Sequence, residues 1–325
     1  MAHRMSSGRR RPQSLILVME QDSVLVSGAD GYIAQHLIRA LRGRGTAVRT
    51  ASRGPDGDLY LDFSRSEQMA DLCVAGVGTM IHTVSPHESL YRTDPCRAAA
   101  ENAAGIHAAL DFCVRNHIKN FIYFSSFHVF GDREGRLDEE TPVSPCDDYG
   151  LAHCVAEETV RMYDRRGDLN AWVIRPSNLF GVPADWEKFT RWNLIPFAFC
   201  REAAEKGTIT LLTPGDQQRN FVGIGDVVHR TLWLLDQRPD QRLLHAYGDE
   251  TIRVYDYALR VQALGSELLG APVRISRPEG CTRSADFQFT SLRKEDEILP
   301  RDRLDEFIRE MMAALMKKRE GRKAI

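Results

Sequence analysis

Two glycines three residues apart separate a short apolar run from a helical pattern near the start of the chain. Residues 24–26 are apolar and β-branched or aliphatic, which predicts a strand. From 33 to 41 the apolar residues recur at helical spacing. Gly28 lets the chain turn sharply out of the strand, and Gly31 leaves the first helical turn without a Cβ. The stretch therefore predicts a strand, a tight turn and a helix.

This turn has the chemistry that a pyrophosphate requires. The missing Cβ of Gly31 opens the amides at the positive end of the helix dipole, and Ala34 is small enough for the helix to lie close to the strand. An ordinary strand-to-helix turn, with glycines needed only for geometry, is the alternative. The position of the motif inside a first βαβ unit favours a dinucleotide-binding loop.

Composition narrows the class of protein and of partner. The 325 residues, 43% of them hydrophobic, suffice for one large domain or two modest ones. A net charge of -2 gives no indication of nucleic acid or an anionic membrane as partner, and no apolar run reaches the roughly 18 residues that span a bilayer. The seven scattered cysteines form no Cys-x-x-Cys pair, so we expect no metal site and a cytoplasmic location.

Strand and helix patterns alternate along most of the chain and predict an α/β fold with a doubly wound parallel sheet. We expect a flexible extension over 1–21, a nucleotide-binding lobe over 22–176 and 221–248, and a smaller α/β substrate lobe over 177–220 and 249–325. One aromatic-rich segment of the smaller lobe, residues 186–200, has two interpretations. It either shapes a substrate pocket or packs between the lobes.

The end of the predicted second strand bears on the choice of cofactor. In such folds an acidic residue there binds the adenosine ribose of NAD, whereas Arg favours the extra phosphate of NADP. This chain has Ser52 and Arg53 at that point and no carboxylate before Asp56. NADP is therefore favoured and NAD remains possible, while a solvated Arg53 is the alternative. Asp62, at the end of the third strand, is predicted to face the adenine.

Two side chains with hydroxyl groups, Ser126 and Tyr149, occur at positions where a parallel sheet binds its ligands. The fifth strand ends at Ser126, and ligands of such sheets lie at the carboxyl ends of strands. A helix begins near Tyr149, so that Tyr149 and His153 lie one turn apart on the same face.

Five blocks of sequence carry a resemblance to a known family. They are Ser27-Gly28-Ala29-Asp30-Gly31-Tyr32-Ile33-Ala34, Phe124-Ser125-Ser126-Phe127-His128-Val129-Phe130-Gly131, Tyr149-Gly150-Leu151-Ala152-His153, Arg175-Pro176-Ser177-Asn178-Leu179-Phe180-Gly181 and Arg219-Asn220-Phe221-Val222. In this order they resemble the extended short-chain dehydrogenases, most of all the NAD(P)-dependent nucleotide-sugar epimerases, dehydratases and ketoreductases. The resemblance covers residues 23–228 and implies a Rossmann-type sheet, a nucleotide-sugar substrate and a homodimer formed by the long helices near 96–116 and 149–165.

The resemblance also implies roles for individual residues. Ser126 holds the substrate oxygen and Tyr149 exchanges a proton with it, while Asn178 and Arg219 contact the nucleotide part of the substrate. For each of these there is a plainer interpretation: a strand-ending serine, a surface tyrosine, a turn-capping asparagine and a solvated arginine. The residues implied in cofactor binding are Gly28, Gly31, Tyr32, Ile33, Ser52, Arg53, Asp62, Thr83, Val84, Asn102, Tyr149, His153 and Pro176.

The sequence departs from the family pattern at one catalytic position. Family members have a lysine four residues after the tyrosine, where it lowers the phenol pKa and binds the nicotinamide ribose, but this chain has His153. A neutral imidazole supplies hydrogen bonds and little charge. We predict an oxidoreductase or epimerase in which ketoreduction is favoured. Ketone reduction needs a single proton donation from Tyr149, which depends less on the missing lysine than repeated proton exchange does. A catalytically degenerate NADP-binding regulatory protein and a non-redox lyase or isomerase are the alternatives.

Overall fold

The computed structural model describes residues 23–69, 71–281 and 286–323, so the predicted extension over 1–21 lies outside the described part. The strands are β1 Ser23–Ser27, β2 Val48–Ser52, β3 Leu59–Tyr60, β4 Val77–His82, β5 Asn120–Phe124, β6 Gly135–Leu137, β7 Asn170–Pro176, β8 Asn178–Phe180, β9 Thr208–Thr210, β10 Gln218–Gly223, β11 Leu243–Ala246, β12 Glu250–Arg253, β13 Arg274–Ser276 and β14 Phe287–Phe289. The α-helices are α1 Tyr32–Gly43, α2 Glu88–Thr93, α3 Pro95–Arg115, α4 Asp148–Arg165, α5 Ile195–Lys206, α6 Ile224–Gln237, α7 Val254–Leu269 and α8 Leu304–Lys323.

A seven-stranded parallel sheet forms the centre of the molecule. Its strand order is β11-β7-β5-β4-β1-β2-β3, and all neighbouring strands run parallel. The order reverses between β1 and β4, and the crevice at such a reversal is where doubly wound sheets bind their ligands. The predicted Rossmann-type fold class is confirmed.

Helices cover both faces of this sheet. Along β5, Phe121 and Tyr123 contribute to the core on the side of α3 and α4, whereas Ile122 and Phe124 contribute to the core on the side of α1 and α6. This alternation follows from the two-residue period of a strand. Burial on both sides explains why β5 reads in the sequence as a continuous apolar run.

The remaining elements pack beside the carboxyl ends of the sheet. A three-stranded sheet β12-β10-β8 and two strand pairs, β13-β9 and β14-β6, lie there. Helices α5, α7 and α8 enclose a third apolar core that includes Phe197, Tyr257 and Met311. The division into two lobes at the predicted boundaries stays a prediction.

Among the helices of the described ranges, none combines the length and the apolar character that crossing a bilayer requires.

The connection after β2 is less regular than predicted. The apolar run over 59–63 predicts a strand, and residues 66–75 predict a short helix. In the described residues of these ranges, only β3 and the 3-10 turn Ser66–Met69 form. The carboxylate of Asp62 accepts hydrogen bonds from the amide and hydroxyl of Ser64, at 3.1 and 2.6 Å, and such a turn ends the strand. Beyond the 3-10 turn, the side chain of Asn116 accepts from the amide of Val74 at 2.6 Å and ties the chain to the end of α3 in extended form.

Candidate active site

The glycine turn has the geometry that the sequence predicts. Gly28 has φ +74°, and the Gly31 amide donates to the Gly28 carbonyl at 2.8 Å. A Cβ added to Gly28 would lie 2.8 Å from Oγ1 of Thr83 and 3.0 Å from Cγ2 of Val84, so both residues after β4 lie against the turn. Gly31 is the N-cap of α1 and no side chain caps this helix. The first amides of α1 therefore stay available to an anion.

A cavity of about 640 Å³ opens beside this turn, between the ends of the central strands and the start of α4. Its size is in the usual range for small-molecule sites. Nine of the predicted site residues line it: Gly31, Tyr32, Ile33, Thr83, Ser126, Tyr149, His153, Pro176 and Asn178. The structure thus brings the predicted catalytic residues and part of the predicted cofactor site into one space.

Ser126 and Tyr149 face each other in the cavity. Ser126 follows β5, is buried, and its Oγ accepts a hydrogen bond from the His128 amide at 3.3 Å. Tyr149 stands in the first turn of α4, which Asp147 caps by accepting from the Gly150 amide at 2.6 Å. Both side chains line the cavity, and the hydroxyl of Ser126 lies near the phenol of Tyr149. Two hydroxyl groups from different elements are therefore positioned to hold one oxygen atom.

The surroundings keep the phenol of Tyr149 protonated. Burial raises the pKa of Tyr149 above its ordinary value, and the carboxylates of Glu88 and Asp147 act in the same direction. The positive charge of Arg191 and the nearby hydroxyl of Ser126 act to lower this pKa without cancelling the effect of burial. At neutral pH the group is a phenol that can donate a proton.

His153 is a buried, neutral imidazole. Its Nδ1 lies 2.8 Å from the hydroxyl of Tyr123, and its ring is 4.6 Å from the ring of Tyr149 between centroids. Burial lowers the pKa of His153 to about 4. Within the described part of the chain, Nε2 is buried without a hydrogen-bond partner. His153 lines the cavity. A neutral ring with one unused nitrogen can hydrogen-bond a ribose hydroxyl, but it does not supply the positive charge of a lysine.

A buried ion pair fixes the helix that carries Tyr149. Glu157 of α4 binds Arg175 of β7 through two hydrogen bonds of 2.7 and 2.6 Å, and it also accepts from the hydroxyl of Ser125 at 2.6 Å. Both charged side chains are at most 2% exposed. Burial acts to raise the pKa of Glu157, but the hydrogen bonds and charge of Arg175 outweigh it and hold the pKa below its usual value. This pair sets the position of α4 relative to the sheet.

Several predicted cofactor residues lie outside the cavity. Gly28 is part of the glycine turn and Val84 lies against it. Ser52 and Arg53 are at the end of β2, and Asp62 follows β3. Arg53 is exposed and its charge contributes to lowering the pKa of Asp62, an effect that burial of Asp62 opposes.

Asn102 and Arg219 do not line this cavity. The buried amide of Asn102 donates to the Ala152 carbonyl at 3.0 Å and joins α3 to α4, so the side chain does not reach the cavity. Arg219 lines a second space of about 490 Å³. Phe127 lines both spaces, which makes them neighbours.

The sequence did not reveal several charged residues near the cavity. Glu88 and Arg92 of α2 line the cavity and pair with each other at 3.0 Å, Arg191 lines it as well, and Lys188 reaches the glycine turn. For Lys188 and Arg191 the only signal was the aromatic-rich segment 186–200, for which two interpretations were open. In this segment Arg191 and Leu194 line the cavity, while Phe197 is buried in the third core.

Comparison with curated proteins gives relatives at about one quarter identity. The uncharacterized protein y4nG of Sinorhizobium fredii is 26% identical over 213 residues, which are 63% of this chain and 51% of that one, so the chain spans about half the length of this relative. ADP-L-glycero-D-manno-heptose-6-epimerase of Alkalilimnicola ehrlichii is 26% identical, with 72% of this chain and 78% of that protein covered. dTDP-4-dehydro-6-deoxy-D-allose reductase of Streptomyces bikiniensis is 23% identical, with 85% and 90% covered.

A solved structure has the same fold as this chain, and a family model identifies its family. MoeE5 in complex with UDP-glucuronic acid and NAD has the same fold, with a TM-score of 0.74, 22% identity and coverage of 91% of this chain and 99% of that one. The model of the NAD dependent epimerase/dehydratase family matches residues 24–245, which are more than half of the sequence. The chain therefore belongs to the NAD dependent epimerase/dehydratase family.

Proposed function

We propose that the chain is an NADP-dependent enzyme that acts on a keto or hydroxy group of a nucleotide-activated sugar, with ketone reduction as the favoured reaction. The observation that carries this proposal is that the phenol of Tyr149 and the hydroxyl of Ser126 lie together in one cavity beside the glycine turn. The relatives include an epimerase and a reductase of nucleotide-linked sugars, which supports the substrate class.

The residues around the turn fit a dinucleotide. The uncapped amides of α1 and the absent side chain of Gly31 suit a pyrophosphate, and the unpartnered Nε2 of His153 suits the hydroxyl of a ribose. Arg53 would meet the phosphate that distinguishes NADP. When bound, the dinucleotide supplies or accepts the hydride, and NAD remains the alternative.

The chain's own residues then handle the substrate oxygen. Ser126 and Tyr149 hold it, and Tyr149 donates its proton to the oxygen as the carbonyl is reduced. The raised pKa of Tyr149 suits this direction, because the group must keep its proton until the reaction occurs. Asn178 in the same cavity and Arg219 in the adjoining space would contact the nucleotide part of the substrate.

A regulatory protein that binds NADP without turnover is the second candidate. The observation in its favour is the neutral His153, whose pKa of about 4 leaves Tyr149 without the cation that the family places there. Consumption of NADPH distinguishes the two, because only the enzyme oxidises it in the presence of a keto sugar.

We also propose a cytoplasmic location. Six cysteines of the described residues, Cys73, Cys96, Cys113, Cys146, Cys154 and Cys200, are free thiols, and such thiols persist in reducing compartments. Fractionation of cells that produce the tagged chain tests this, and recovery in an oxidising compartment would contradict it.

The proposed reaction is tested by substitution of Tyr149. NADPH oxidation is followed with a panel of nucleotide-linked 4-keto sugars, for the wild type, Tyr149→Phe and Tyr60→Phe. Loss of the proton donor should slow turnover at least about 100-fold, as is usual for general acids. Tyr60 is an exposed tyrosine outside the cavity and serves as the matched control. Full turnover by Tyr149→Phe would show that this phenol is not the acid.

A further inference from the structure

One lysine bridges two carboxylates at the edge of the glycine turn. Nζ of Lys188 lies 2.8 Å from Asp30 and 3.0 Å from Asp56. Asp30 belongs to the glycine turn and Asp56 follows β2, whereas Lys188 comes from the long segment between β8 and α5. Three parts of the chain that are distant in sequence therefore meet around one ammonium group.

The meeting point is the end of β2, where this fold distinguishes its two dinucleotides. A Cβ added to Gly54 would lie 3.0 Å from Oδ2 of Asp30 and 3.5 Å from Oγ of Ser52, so Asp30 lies directly beside the end of that strand. Carboxylates at this place accept hydrogen bonds from the ribose hydroxyls of NAD and repel the phosphate of NADP. Asp30 and Asp56 alone would favour NAD.

The ammonium group offsets one of these two negative charges. The hydrogen bond from Lys188 is the main cause of a lowered pKa of Asp30, which is therefore a full carboxylate. The side chains of Lys188, Asp30 and Asp56 are 29%, 42% and 66% exposed. Ion pairs at such exposure contribute little free energy. The ammonium group can therefore leave a carboxylate and pair with an incoming phosphate with only a small loss of free energy.

We propose that Lys188 determines the dinucleotide preference of this chain, by offsetting part of the negative charge of Asp30 and Asp56 and by pairing with the adenosine phosphate of NADP. This rests on the proposed function, because it requires that a dinucleotide binds at the glycine turn. Arg53 is a second cation at the same strand end, but its charge also acts on Asp62, whereas Lys188 faces the two carboxylates that would reject the phosphate.

The test measures dissociation constants for NADPH and NADH by cofactor fluorescence. The wild type is compared with Lys188→Gln, Lys188→Arg and the control Lys206→Gln, which removes an exposed lysine paired to Glu202. We expect Lys188→Gln to lower the preference for NADPH over NADH at least about tenfold, the size of one charge interaction near a surface. Lys188→Arg and Lys206→Gln should keep the wild-type ratio.

A fourth variant separates charge from structure. Adding Asp30→Asn to Lys188→Gln removes a repelling carboxylate and should restore part of the preference for NADPH. An unchanged NADPH-to-NADH ratio in Lys188→Gln would overturn the role of Lys188, as would failure of Asp30→Asn to restore it. Binding of neither cofactor by the wild type is a different result, since it would overturn the proposed function itself.

Discussion

His153 stands where the family has a lysine, one helical turn after Tyr149 on α4. Its ring is close to the phenol of Tyr149, yet burial keeps it uncharged. The nearest cationic influence on the phenol is Arg191, which reaches the cavity from the segment before α5. The chain therefore has a tyrosine that holds its proton, and this favours proton donation over repeated proton exchange.

A lysine at position 153 should change this balance. In His153→Lys an ammonium would stand one helical turn from Tyr149, and an adjacent positive charge lowers a phenol pKa by about 1 to 3 units. The measurement is a pH titration of the protein labelled with ¹³Cζ-tyrosine, in which Tyr149→Phe identifies the resonance. The exposed His107→Lys is the control and should leave the resonance unchanged. An identical Tyr149 titration in His153→Lys and wild type would contradict the interpretation.

The sequence predicts which residues near a motif line the cavity, but it does not predict which residues of irregular segments do so. Ser126, Tyr149 and His153 follow strand ends or helix starts that the sequence marks clearly, and the structure places all three in one cavity. Lys188 and Arg191 lie in an irregular segment with no periodicity to orient a side chain. Their positions follow from the packing of neighbours such as Phe189 against Tyr32 and Trp192, which a pattern in one segment does not reveal.

At the scale of elements, α4 is held by one buried ion pair. Glu157→Ala would leave the guanidinium of Arg175 buried without its charge partner, and loss of one member of such a pair usually costs about 3 to 5 kcal/mol. Urea unfolding followed by circular dichroism measures this loss. The neighbouring Glu158 pairs with Arg165 at the surface, where both side chains are 60% exposed, so Glu158→Ala should cost less than about 1 kcal/mol. Equal stability of the two variants would show that the buried pair does not fix α4.

The sheet was more predictable than its surroundings. Buried parallel strands such as β4 and β5 are continuous apolar runs in the sequence, so they can be recognised without knowing which strands they pair with. Short strands such as β6 and β14 differ in this respect. Phe287 pairs with Gly135 across nearly half of the chain, and each strand has only three residues, so neither carries a periodic signal of its own.

At the scale of the whole molecule, α3 and α4 are the predicted dimer surface. Leu151 and Val155 lie one turn apart on α4 and are 52% and 46% exposed, which supports a partner there. Leu151→Glu should convert the dimer to a monomer in sedimentation equilibrium, because it would bury a charge in the interface. Leu212 is 91% exposed outside these helices, so Leu212→Glu is the control and should remain dimeric. A monomeric wild type, or a dimer that survives Leu151→Glu, would contradict the predicted surface.

The central claim is that the hydride of a dinucleotide and the proton of Tyr149 reach the same carbonyl group of a nucleotide sugar. Its most direct test is mass spectrometry of nucleotide-linked 4-keto sugars after incubation with NADPH that carries deuterium at C4 of the nicotinamide. We predict one deuterium in the product with the wild type and formation at least about 100-fold slower with Tyr149→Phe. Equal rates in the two proteins, or binding of the dinucleotide without transfer to any member of the panel, would contradict the account.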